Sequence, residues 1–306
     1  MATSITSTYA GQAAQGYVTA ALLSGDTLGG NNVTVLPNVD RYKTVIRKLD
    51  TSGNIIQNAA CDFTDSGTVT ITEKVLNLEQ FMVNKEECKS TFISAWSSQE
   101  LGRSAHNVNG VPAEFRDAVI DHYIKLVAQG MEISIWRGAN ASVGQFDGFE
   151  VLFAADSDVI DIATPVTLTA ANVISKIGEV YAAVPSALIN SNELRIYINK
   201  KTYILYQQAL GAVGSGMGYS NLATGGEKPL DYLGVPIVVA PGMSDDTIIA
   251  AERTNLFFGT SLLADHNEVK VLDMSDLDGS DNVRFVMRFN AGIQYAYGSE
   301  VVMYQA

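Results

Sequence analysis

Cysteine and histidine are scarce in this sequence. Its 306 residues include two cysteines, Cys61 and Cys88, and three histidines, His106, His122 and His266. The cysteines have no close-spaced partner, so the sequence predicts neither a zinc site nor a redox dithiol, and both are expected to be reduced packing residues. No two histidines stand at metal-ligand spacing on one element. A mechanism driven by imidazole therefore has little to build on.

Basic residues and long apolar runs are also in short supply. The chain has 20 Lys and Arg against 33 Asp and Glu, a formal net charge of -13. This balance disfavours nonspecific nucleic-acid binding. No apolar run approaches the roughly 20 residues that span a bilayer, and the polar start Met1 to Tyr9 lacks the order of a secretion signal. We expect no membrane association and synthesis in a cytoplasm, with a core for one large or two ordinary domains.

Motifs for catalysis or cofactor binding are missing as well. The glycine-rich segment Gly211 to Gly218 follows a predicted helix and lacks the Gly-Lys-Ser/Thr ending of a phosphate loop, so a surface loop is predicted. No serine occupies a Gly-x-Ser-x-Gly elbow. One acidic group around Gly279 resembles a calcium loop, but predicted strands flank it and the closing Glu is absent, which favours a turn with solvated acids. Its members are Asp273, Asp276, Asp278 and Asp281. We predict no catalytic residue, no cofactor and no metal.

A long amphipathic helix is the most informative feature that is present. Pro112 suits a first helical turn, Glu114 complements the helix dipole, and Gly138 suits a left-handed cap. Apolar positions recur at three- and four-residue intervals: Phe115, Val119, His122, Leu126, Ile133 and Trp136. The pattern predicts a helix over residues 112–137, roughly 40 Å long, with these side chains facing the core and His122 as a hydrogen-bonded core histidine.

The sequence before this helix divides into three parts. Residues 1–35, rich in small polar residues, predict an extended arm without a stable core element. Residues 36–83 contain short β-favouring runs and turn signals, which predict a projecting hairpin or loop. Residues 84–101 predict a helix packed against the long one. The projecting loop also carries a local basic cluster, interpreted either as a solvated strand face or as a docking patch: Arg41, Lys43, Arg47 and Lys48.

The second half alternates helices and short strands, which predicts a mixed α+β unit beginning near residue 150. Thr169 is expected to cap a helix that runs through Val184, and Asn199 to cap another over residues 200–210. The predicted strands span 194–198, 235–240, 247–251, 256–259, 268–272, 283–289 and 293–304.

The order of these parts, together with three segments of sequence, resembles the major capsid proteins of tailed phages that have the HK97-like fold. The segments are Leu233-Gly-Val-Pro-Ile-Val-Val-Ala240, Asn255-Leu-Phe-Phe-Gly-Thr260 and Val283-Arg-Phe-Val-Met-Arg-Phe289, alongside the helix end Ile135-Trp-Arg-Gly138. The resemblance covers nearly the whole chain.

The resemblance implies an α+β chain with five parts. These are an N-terminal arm (1–35), an extended loop that reaches over a neighbouring subunit (36–83), a peripheral domain with the spine helix (84–150, helix 112–137), an axial domain (151–282) and C-terminal strands that return to the core sheets (283–306). Because no long charged helical segment precedes the arm, a fused scaffolding domain is not expected. Crosslinking between subunits cannot be matched to residues and is not predicted.

The implied function is structural, not enzymatic. Copies would form pentamers and hexamers that close into an icosahedral virion shell, assembled in the bacterial cytoplasm, around double-stranded DNA that the wall encloses without specific binding. The basic cluster would dock on acidic neighbours, and separate scaffolding, portal or decoration proteins are possible partners. An encapsulin shell remains the near alternative, and a calcium-dependent adhesin or enzyme the distant one.

Overall fold

The computed structural model describes residues 7–10, 26–37, 39, 43–59, 61, 65–88, 113–212, 231–261, 268–274, 278–280 and 282–306. The strands are β1 Ser7–Ala10, β2 Thr34–Leu36, β3 Lys43–Ser52, β4 Thr68–Asn77, β5 Glu79–Cys88, β6 Ile160–Asp161, β7 Leu194–Ile198, β8 Asp231–Tyr232, β9 Val235–Val239, β10 Thr247–Glu252, β11 Leu256–Thr260, β12 Glu268–Asp273, β13 Asn282–Tyr295 and β14 Val302–Gln305. The helices are α1 Asp26–Gly29, α2 Ala113–Arg137, α3 Phe149–Ala155, α4 Val173–Ala183 and α5 Lys200–Ala212, with short 3-10 turns at Arg253–Asn255 and Gly298–Glu300.

The first sheet is built around the long strand β13. Its order is β1-β12-β13-β11-β2, and β5 also pairs with β13. Apolar residues alternate along the first half of β13 and turn one face of the strand toward α2, as the period of a half-buried strand requires. Phe285 stacks on Tyr123 of α2 with the ring centroids 4.9 Å apart. The helix and the sheet thus share one hydrophobic core.

The second sheet has the order β6-β14-β10-β7-β9-β8, with α4 and α5 packed on one face. Its central strand β7 runs over Leu194–Ile198 as the sequence predicts, and Asn199 caps α5 by accepting the N–H of Lys201 at 2.9 Å. Helix α4 buries Val173, Ile177 and Val180 against this sheet. Strand β7 and the cap of α5 are predictable because each is specified by a short local pattern. Helix α4 runs over Val173–Ala183 with Asn172 at its N-cap, so the prediction of Thr169 as its cap is wrong.

The long helix ends where the sequence predicts, but its buried face differs. Arg137 is the last helical residue, and the described part of the helix begins at Ala113. His122 is exposed and Leu126 is 48% exposed, whereas Ile120 and Tyr123 are buried. The prediction of His122 as a core histidine is therefore wrong. Apolar residues occur nearly all round this helix, so their spacing alone does not select the face that packs.

Three further expectations are corrected by strand pairing. Asn84–Cys88 belongs to β5, not to a helix, and the rest of the predicted helix lies outside the described residues. Residues 282–295 form one continuous strand and residues 302–305 another, whereas the sequence predicts runs over 283–289 and 293–304. Strands β11 and β12, predicted within the axial part, lie in the first sheet. In each case the structure is determined by pairing with a strand that is distant in the sequence. The periodicity of apolar residues does not identify that partner.

The N-terminal segment contributes to the core, contrary to the expectation of an arm without core elements. Strand β1 pairs antiparallel with β12, and β2 pairs parallel with β11. Leu28 and Val33 are buried in the same core as the long helix. A segment with few large apolar residues is thus held mainly by backbone pairing and a few buried contacts.

Candidate functional site

The β3–β4 hairpin is a two-stranded sheet in which Lys43 pairs with Asn77 and Ser52 pairs with Thr68 at its two ends. Successive side chains on a strand point to opposite faces. We call the face with Val45 and its cross-strand partner Val75 the outer face, and the face with Ile46 and Lys74 the inner face. The two faces have different surroundings, and this difference defines the candidate site.

The outer face is apolar and exposed. Leu49 and Ile71, which pair across the strands, are 61% and 65% exposed. The remaining apolar members are Val45, Val69 and Val75, exposed by 48%, 61% and 40%. Arg47 and Glu73 form an ion pair of 3.1 Å in the middle of this face. Exposed apolar side chains thus lie on both sides of this ion pair, and a concentration of exposed apolar surface of this kind marks an interaction site.

The inner face is fastened to the body of the chain. Lys74 Nζ lies 2.8 Å from Asp156 Oδ2 and 3.5 Å from the centroid of the Tyr295 ring. The Tyr295 hydroxyl donates to the same carboxylate oxygen at 2.5 Å. Nearer the tip, Lys48 Nζ lies 4.9 Å from the Tyr297 ring centroid. We call Lys74, Asp156 and Tyr295 the clamp, because they hold the inner face and leave the outer face free.

The root of the hairpin sits in a notch made by two glycines that face each other on β11 and β13. Gly259 pairs with Gly292. A Cβ on Gly259 would lie 2.5 Å from Leu76 Cδ2, and one on Gly292 would overlap the carbonyl oxygen of Asn77. Leu76 is fully buried in a small cluster with Val39 and Leu78. The hairpin thus has its own apolar root, separate from the two main cores.

The pKa of Asp156 determines the pH range in which the clamp stabilises the chain. Burial alone would raise the pKa of Asp156, but hydrogen bonds from Lys74 and Tyr295 outweigh it and lower that pKa to about 2. A carboxyl whose pKa is lowered by folding contributes stability above its ordinary value of 3.8, and this stability is lost as the pH falls through about 2.

We predict that Asp156→Asn loosens the hairpin between pH 5 and pH 8, with faster amide hydrogen exchange in β3 and β4 than in the wild-type chain. Lys201→Ala, which breaks an exposed ion pair of 3.0 Å with Asp245 away from the hairpin, is the matched control. Equal exchange in the hairpin of Asp156→Asn and of the wild type would contradict the role of the clamp.

A second polar site lies inside the core and ties α1 to α2. Glu132 is 6% exposed, and it accepts the N–H of Thr27 at 3.3 Å and the Thr27 hydroxyl. Trp136 Nε1 donates to that hydroxyl at 2.8 Å.

Burial raises the pKa of Glu132. The hydrogen bonds from Thr27 only partly offset this rise, and the charge of Asp26 adds to it. Burial likewise raises the pKa of Glu150, which accepts the N–H and the hydroxyl of Ser244 at 2.8 and 2.6 Å.

These raised pKa values predict a stability that grows on mild acidification. A carboxyl with a raised folded pKa contributes stability below its unfolded pKa and loses it as the pH rises through the folded pKa. The free energy of unfolding of the wild type relative to Glu132→Gln is therefore expected to rise as the pH falls from 8 to 5. Urea unfolding at several pH values measures it, and a difference that does not vary with pH would refute it.

The structure does not bring the predicted basic cluster together. Arg41 lies outside the described residues. Lys43 and Arg47 are on the outer face, where Arg47 is paired with Glu73, whereas Lys48 is on the inner face over Tyr297. The period of a β-strand separates neighbours in sequence onto opposite faces. A common docking role for all four residues remains a prediction. Of the three members that the structure describes, Lys43 and Arg47 lie on the outer face and Lys48 does not.

The acidic group around Gly279 and the glycine-rich segment Gly211 to Gly218 lie only partly within the described residues. Asp273 is buried, while Asp278 is exposed and accepts the N–H of Ser280 at 2.9 Å; Asp276 and Asp281 lie outside the described residues. Within the described ranges, no cluster of three His, Cys, Asp or Glu residues is placed to hold a metal ion. Of the glycine-rich segment, positions 211 and 212 belong to α5, and the remainder lies outside those ranges.

Among the described residues, no helix combines the length and the hydropathy needed to cross a bilayer.

Sequence reasoning located the hairpin but missed how it is held. The clamp joins residues that are 82 positions apart, and the notch joins glycines on different strands. One signal was available: an alternation of Val, Leu and Ile with polar residues on both strands of an isolated hairpin leaves an apolar face with nothing in the same hairpin to cover it.

Solved structures share this architecture over nearly the whole chain. No family model matches the sequence, and no curated protein matches it significantly. A structure from Gordonia phage Cozz matches with a TM-score of 0.61 at 14% identity, covering 92% of this chain and 86% of that one. The capsid of an empty GTA particle gives 0.59 at 14%, covering 92% and 91%. The procapsid of satellite phage P4, which includes the size determination protein Sid, gives 0.56 at 11%, covering 94% and 97%. The chain therefore has the HK97-like fold of phage capsid proteins.

Proposed function

We propose that this chain is the major capsid protein of a tailed bacteriophage. Its copies associate as pentamers and hexamers and close into an icosahedral shell around the double-stranded DNA genome. The likeness to phage and GTA capsids supports this function, and it gives no support to an encapsulin or to a calcium-dependent adhesin or enzyme. The proposed role is structural, and the location is the virion, after assembly in the host cytoplasm.

The observation that carries this proposal is the hairpin with one face clamped and the other exposed. The apolar outer face is positioned by the clamp and the glycine notch, so its orientation is fixed before any partner arrives. A preformed apolar surface loses little conformational entropy on binding. The parts assigned from the sequence follow the same proposal, except that β11 and β12 are assigned to the peripheral domain instead of the axial one: arm, extended loop, peripheral domain, axial domain and C-terminal strands. Scaffolding, portal and decoration proteins are further proposed partners.

The proposal is tested by the association state of the purified full chain. Sedimentation velocity combined with light scattering over a range of concentrations is expected to show species with the mass of five or six copies, or larger closed particles. A chain that remains a monomer at every concentration, with or without calcium, would overturn the proposed function.

A further inference from the structure

The turn between β8 and β9 carries an unusual residue at its tip. Leu233 has a φ of 49° and is followed by Gly234 with a φ of 87°. Two-residue hairpin turns with both φ values positive favour Asn-Gly or Asp-Gly, because Asn and Asp tolerate the left-handed conformation better than leucine. Leu233 is also 72% exposed. The chain thus combines backbone strain with an exposed apolar side chain at one position.

Residues of α4 and α5 hold strand β8, which leads into this turn. The Tyr232 hydroxyl occupies the space over Gly178 of α4, where a Cβ would lie 2.8 Å from it. The Tyr232 ring also packs edge-on against Tyr181, with the centroids 5.8 Å apart. The buried Tyr206 donates its hydroxyl proton to the carbonyl oxygen of Asp231 at 3.1 Å. Strained conformations persist where the surroundings over-determine them, and they concentrate at functional positions.

The same edge of the second sheet also carries a hollow. A cleft of about 540 Å³ opens beside β9, and its walls include Tyr203, Pro236 and Val239. Lys200 and Arg195 lie at this cleft, and Lys200 Nζ is 5.4 Å from the Tyr203 ring centroid. The cleft therefore offers apolar walls with a basic border, and its volume is ample for one leucine side chain.

We propose that the β8–β9 turn, led by Leu233, inserts into the β9 cleft of a second copy of the chain. The charges are complementary, because exposed Asp231 stands two residues from Leu233 while Lys200 and Arg195 border the cleft. A projection and a matching hollow on one chain are the requirements of a contact that repeats from copy to copy and can close a ring. This inference rests on the proposed function, since it names a contact within the assembly.

The first test is Leu233→Asn in the full chain. Asparagine relieves the strain, so the unassociated variant is expected to melt a few degrees higher than the wild type. Its half-association concentration in sedimentation velocity is nevertheless expected to rise by at least about tenfold. Val143→Asn, at a fully exposed apolar residue with a negative φ, is the matched control and is expected to change neither association nor melting.

A charge exchange identifies the partner surface. Asp231→Lys and Lys200→Glu are each expected to weaken association, and the double variant is expected to restore it, because the two positions meet between copies. Glutamate suits position 200 at the start of α5, so this variant keeps the helix. Unchanged association in Leu233→Asn, or additive losses in the double variant, would overturn the inference. A wild-type chain that never associates would instead contradict the proposed function.

Discussion

Replacing Leu49 and Ile71 together by aspartate is expected to weaken shell assembly strongly while the chain still folds. Both side chains are more than 60% exposed, so their loss removes little buried area from the single chain. Between copies, the two carboxylates would have to be buried without partners, at a cost of several kcal/mol. The concentration needed for association should rise at least about a hundredfold, which corresponds to about 2.7 kcal/mol.

Light scattering gives the association threshold of this variant, and circular dichroism with urea unfolding establishes that it is folded. The matched control is Val143→Asp, a fully exposed apolar residue on the loop between α2 and α3. It introduces one aspartate away from the hairpin and is expected to leave assembly unchanged. Normal assembly of the Leu49 and Ile71 variant would show that the outer face is not a contact surface.

Replacing Gly292 by alanine is expected to give the largest loss of stability among single-methyl changes at the hairpin. The new Cβ would overlap the backbone oxygen of Asn77, and backbone cannot turn aside as a side chain can. Either the root of the hairpin moves or β11 and β13 separate, and overpacking of this kind costs about 1–3 kcal/mol. The exchange of β3 and β4 amides should accelerate, since the root then no longer fits its notch.

Two other glycines serve as comparisons for Gly292→Ala in urea unfolding. Gly259→Ala meets the Cδ2 atom of Leu76 at 2.5 Å, which a rotamer change can relieve, so a smaller loss is expected. Gly130→Ala lies in α2 with no atom within 4 Å of the new Cβ, and it should stabilise the chain by up to about 1 kcal/mol. A Gly292→Ala chain as stable as the wild type would refute the notch.

The parts of the fold that the sequence predicts are those fixed by neighbouring residues. Strand β7 and the cap at Asn199 follow from a run of apolar residues and the polar residue after it. Such local signals do not depend on which elements later pack together. The long helix also ends before Gly138 as predicted, but Gly138 does not have the positive φ of the predicted left-handed cap. Glycine is required there because a Cβ would overlap the carbonyl oxygen of Phe146.

The parts that escaped prediction depend on distant partners. Asn84 to Cys88 became a strand because β13 offers ten paired positions to β5. The buried face of α2 differs from the predicted one. Packing against the first sheet, and not the spacing of apolar residues in the helix, determines that Ile120 and Tyr123 are buried. The hairpin and its basic residues were visible in the sequence, whereas the clamp that holds Lys74 against Asp156 requires knowledge of how two remote segments meet.

The most direct test of the proposed function is an electron microscopy map of the particles formed by the purified chain. The account predicts closed shells in which density from a neighbouring copy covers Leu49 and Ile71 on the outer face of every hairpin, while Lys74 stays on Asp156. Shells in which that face points into solvent, or a preparation without any assembled particle, would contradict it.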